Sequence, residues 1–123
     1  MKRFLLAVGL GFATVAGAAA PAESFTALGE QALAEMGAEV VECVNARTES
    51  VCGAVPGDFS VVEAAFEESE TLAALEPQDE WHDDHGMMMR RYTWADAPDG
   101  EQEIMVIFNA NNPAMNLQLV TVN

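Results

Sequence analysis

The chain has 123 residues, the size of one small domain, with 20 acidic side chains against five basic ones and a formal net charge of −15 at pH 7. A field of that sign repels phosphate backbones and anionic bilayers, which sets nucleic acid and membrane surfaces aside as partners. A basic protein or a cation remains compatible with it.

The first 22 residues read as a secretory signal peptide. Lys2 and Arg3 make a short positive start, residues 4–16 are apolar, and Ala20-Pro21-Ala22 fits the small-x-small cleavage rule, with Glu23 as the first mature residue. The apolar run is too short for a membrane span, and nothing similar follows it. No cysteine lies near the cleavage point to take a lipid. The domain expected to remain, residues 23–123, holds all the acidic residues but only Arg47, Arg90 and Arg91 as basic ones. It is expected to be exported, periplasmic or secreted, where thiols oxidise.

The first predicted element of that domain is a helix. Phe25, Leu28, Ala32 and Met36 recur at helical spacing, Ser24 stands where an N-cap belongs, and Gly37 where a helix ends. The only two cysteines follow, Cys43 and Cys52, each flanked by apolar and β-branched residues with a polar turn between them. That pattern predicts a hairpin closed by a disulfide. Arg47 and Glu49 would sit at its tip, as partner-binding residues if the loop enters a cleft in the manner of an inhibitor. The cysteines lack the CxxC spacing of redox catalysis.

A second helix is predicted from Ser60, with Glu63 three residues on as a capping box, a stripe of Val62, Ala65, Phe66, Ser69 and Leu72, and Pro77 as its stop. After the polar stretch 78–86 the period changes to that of strands. Residues 87–94 form one, and 103–108 a second that is apolar on both faces and therefore central. The third runs through Met115, Leu117, Leu119 and Thr121. Short turns at 95–100 and 109–113 make the three an antiparallel meander. The expected fold is α+β, in the order α-β-β-α-β-β-β, with two helices packed on one face of an antiparallel sheet and one disulfide.

One stretch, residues 81–94, carries potential chemistry. It contains both histidines, His82 and His85, with Asp83 and Asp84 between them and Met87, Met88 and Met89 after. Imidazole and carboxylate suit zinc or copper, so a metal site of His82, His85 and Asp83 or Asp84 is one expectation. Strand alternation puts Met87 and Met89 on one face and Met88 on the other. Arg90 and Arg91 are expected to pair with local carboxylates; an anion pocket beside Tyr92 and Trp94 is the alternative. No nucleophile elbow, phosphate loop or histidine-activated nucleophile is present, which points away from an enzyme. The leading expectation is a small exported acidic binding module with a basic protein as partner, an inhibitor-like role being one version of it. A periplasmic zinc- or copper-binding protein using the His82–His85 segment is the alternative.

Overall fold

The computed structural model describes residues 22–44 and 48–122. The expected signal segment, apart from Ala22, and Arg47 lie outside the described residues. Two helices and seven strands follow one another as α1 (Phe25–Glu35), β1 (Glu39–Val41), β2 (Ser50–Ala54), α2 (Phe59–Glu68), β3 (Leu75–Pro77), β4 (His82–Asp84), β5 (Met87–Trp94), β6 (Gln102–Asn109) and β7 (Leu117–Val122). The strands form one antiparallel sheet in the order β1-β2-β7-β6-β5-β3, with β4 pairing the same edge of β5 further along. This is the expected α+β class and order. Two short strands, β3 and β4, occupy stretches whose composition did not announce them.

The helix α1 forms where the sequence places it. Ser24 is extended and its hydroxyl accepts from the Ala27 N–H at 3.1 Å, which satisfies one of the free amides of the first turn. Gly37, at φ 72°, ends the helix in a conformation that disfavours side chains. Phe25, Leu28, Ala32, Leu33 and Met36 are buried against the sheet. The approach is close: a Cβ on Gly29 would stand 2.7 Å from the Val51 side chain, and one on Gly53 would stand 2.8 Å from the Leu33 side chain. Glycine at these two positions lets α1 lie directly on β2.

The cap of α2 differs from the expected one by two residues. Asp58, not Ser60, is the N-cap; its Oδ1 accepts from the Ser60 N–H at 3.0 Å and from the Ser60 hydroxyl. Both bonds favour the ionised carboxylate, the hydroxyl's most, and hold it below the usual aspartate range. The helix also stops earlier than Pro77. Ser69 closes it, a 3-10 turn spans Leu72–Ala74, and Pro77 lies on the short edge strand β3. A proline is tolerated there because an edge strand leaves some N–H positions without a ladder partner.

The disulfide joins Cys43 and Cys52 with Cα atoms 5.4 Å apart. The two are not opposite each other: Val41 faces Cys52, and Cys43 lies just past the end of β1. The bridge therefore ties the exit of β1 diagonally to the middle of β2. Asn116 does the corresponding work at the start of β7. Its side chain accepts from the Val55 N–H at 2.8 Å and donates to the Val55 carbonyl at 2.9 Å, all of it buried. A side-chain amide thus continues the β2–β7 ladder for one more residue.

The sheet has unequal faces. On the inner face Val51, Leu117, Leu119, Ile104, Val106, Phe108, Tyr92 and Trp94 are buried under the helices, and Ile104, Val106, Leu117 and Leu119 are wholly inaccessible. Alternation sends Met87, Met89, Met105, Ile107, Val120 and Val122 to the outer face, where each is only half-buried. Neither helix crosses to that side. Among the described residues no helix is long and apolar enough to cross a membrane.

Candidate functional site

The histidine segment is a tight hairpin. Asp84 pairs with Met87 and His82 with Met89, leaving His85 and Gly86 as a two-residue turn. Both turn residues have positive φ, 56° and 88°, as a type I′ turn requires. The Gly86 N–H donates to Asp83 Oδ1 at 2.9 Å, which locks the turn. This geometry spreads the four predicted ligands. His82 and Asp84 share the outer face, Asp83 turns to the other, and the His85 side chain projects from the tip, 94 % exposed, with Nδ1 2.7 Å from Asp84. Among the described residues no three of His, Cys, Asp and Glu are grouped as a metal site needs. Of the predicted tip residues, Glu49 is exposed and accepts from the Thr26 hydroxyl at 3.3 Å; Arg47 lies outside the described residues.

The two adjacent arginines have different fates because alternation sends them to opposite faces. Arg91, outward, lies 3.7 Å from Asp79 and 3.5 Å from Glu103, as the pairing expectation has it. Arg90, inward, has no carboxylate within ion-pair distance among the described residues. Its Nε donates to the Asp79 carbonyl at 2.7 Å, and its guanidinium lies 5.9 Å from the centre of the Trp81 ring and 5.4 Å from that of Tyr92. It fills the gap on the β5 edge between β3 and β4.

Around it stands an aromatic cluster. Phe66 stacks on Tyr92 with ring centres 5.1 Å apart, and Trp81 meets Phe59 edge-on at 4.9 Å and Phe66 at 5.8 Å. A cleft of about 230 Å³ opens beside it, walled by α2, β3 and the chain leading into β4. Burial raises the Tyr92 phenol above its ordinary pKa, against an opposing pull from Arg90. Its hydroxyl is buried, with the Arg90 guanidinium beside it as the neighbouring donor, outside strict hydrogen-bond geometry.

The outer face is the second surface with a recognisable character. Its centre is methionine, isoleucine and valine from β5, β6 and β7. At its margins the register places Glu39, Glu76, Asp84 and Glu103, and Arg91 is already engaged by two carboxylates. The sequence signal for this surface was β6 itself. A strand apolar on both faces, in a sheet with too few helices to cover both, must leave one apolar face uncovered.

Comparison with protein-family models, with curated proteins and with solved structures finds no match.

Proposed function

We propose that this protein is a small exported binding module that holds a basic, amphipathic segment of another protein against the outer face of its sheet. The observation that carries the reading is the pairing of a half-buried methionine-rich centre with an acidic margin on one open face. Methionine side chains are flexible and polarisable and adapt to varied apolar partners. The carboxylates at the margin favour lysine or arginine flanking the partner's apolar residues. A second copy of this chain is disfavoured as occupant, since each brings a net charge of −15. The disulfide and the signal-like first 22 residues support export.

The test is calorimetric titration with a synthetic helical peptide of leucine and lysine at amphipathic spacing, against the same peptide with glutamate for lysine. The lysine peptide should bind and the glutamate peptide should not. Met89→Ser with Ile107→Ser should weaken binding at least about tenfold. If the double variant binds as the wild type does and salt alone abolishes binding, the attraction is non-specific charge and the face is not the site. Dimerisation abolished by the same variant would replace the partner with a second copy.

A further inference from the structure

We propose that His82, Met87 and Met89 bind a soft monovalent metal ion of the copper(I) class at the β4–β5 corner of the sheet. The site does not depend on the peptide-binding reading, although both methionines lie on the same outer face.

The hairpin brings the three donors together. His82 is the register partner of Met89, so the two side chains leave the same face with Cβ atoms about 5 Å apart. Met87, two residues before Met89, projects from that face too and stands diagonal to His82. The turn at His85 and Gly86, locked by Asp83, fixes this register. Met88, between the other two, points the opposite way and packs against the core. Met87 and Met89 stay half-buried on the open face, where filling the core does not account for them.

The imidazole is oriented as a ligand's would be. His82 Nδ1 lies 3.4 Å from the Glu80 carbonyl, to which the Nδ1–H tautomer donates. That tautomer carries its lone pair on Nε2, and ligating histidines are commonly set by such a bond from their other nitrogen. Two thioethers and one imidazole make a neutral, soft set, which selects copper(I) over zinc. Asp84 shares the face and would add a hard oxygen, but its Oδ1 is 2.7 Å from His85 Nδ1 at the tip. The only two cysteines are joined to each other, so no thiolate competes for the ion. The net charge of −15 draws cations toward the chain.

The experiment titrates the disulfide-intact protein, isotope-labelled at its methionine methyls, with silver(I), a redox-inert ion of the same softness. Copper(I), kept reduced by ascorbate without air, is measured by competition with a chelator. Each should bind with a Kd below about 1 μM and shift the Met87 and Met89 methyl signals, while zinc(II) should not compete. His82→Ala, Met87→Leu and Met89→Leu should each weaken binding at least about tenfold, and His85→Ala and Met105→Leu should leave it unchanged. His82 is exposed and Met→Leu conserves volume, so these variants should melt close to the wild type. The leucine variants keep the face apolar, so peptide binding should survive in them and the two readings fail separately. Binding of both ions weaker than about 1 μM, zinc held as tightly as silver, or full affinity in His82→Ala would each overturn the proposal. An equal loss in Met105→Leu would overturn it too, since any thioether on the face would then serve.

Discussion

Single residues fix two joints of this fold. Asn116 satisfies both polar groups of buried Val55, so Asn116→Ala would strand an N–H and a C=O away from water. The expected loss is roughly 2–4 kcal/mol by denaturant unfolding. Asn116→Asp should recover little of it, since a carboxylate has no hydrogen to give the Val55 carbonyl. A loss under about 1 kcal/mol for the alanine variant would mean that water replaces the amide. Asp58 is the second joint, and its contribution depends on pH. Its folded pKa lies below the ordinary aspartate range, so ionisation favours the folded state. That contribution is complete above the unfolded pKa and is lost as pH falls through the folded one. Asp58→Ala should therefore lower the melting temperature at pH 7, and the gap to wild type should narrow below about pH 4. A constant gap down to pH 2 would remove the charge from the account.

Among the elements, the contact of α1 with β2 is the tightest. Alanine is the better helix former at position 29 by up to about 1 kcal/mol. In this packing its methyl would meet Val51, and such crowding costs roughly 1–3 kcal/mol. Gly29→Ala is thus expected to destabilise in chemical denaturation; a gain would show that the helix can move away at no cost. The elements that the sequence makes legible are those whose signals are local. The stripe and both ends of α1 are visible in consecutive residues, as is the alternation along β5, β6 and β7. The disulfide is legible from two cysteines at hairpin spacing, each flanked by strand-forming residues. β3 and β4 are not, because Leu75–Pro77 and His82–Asp84 become strands only by pairing with β5. Asp58 and Ser60 both offer a cap, and the sequence has nothing local to choose between them. The cleft was only partly legible: Arg90 stood out beside Tyr92, but Trp81 and Phe66 join them only through the packing of α2 and the chain before β4 against the sheet.

For the molecule as a whole, charge and topology set the behaviour. A net charge of −15 makes the folded state repel itself, and salt screens that repulsion over about 10 Å at 0.1 M and 3 Å at 1 M. The melting temperature should rise as sodium chloride is raised from about 10 mM to 1 M, because the exposed Arg91 pairs are too weak to reverse the trend. A fall would mean that attractive pairs dominate the surface. The arrangement of the strands has its own outcome for crowded solutions. On one side of the sheet β5 is eight residues long, but β3 and β4 divide its outer rim between them in pieces of three, with a break at Asp79–Trp81. On the other side β1 is also only three residues long, and the cystine anchors the chain just beyond it. A fibril grows by adding strands to a long, continuous row of free backbone groups. The described chain offers none, so an apolar, methionine-rich sheet can stay dispersed at concentrations where a straight-edged one would polymerise.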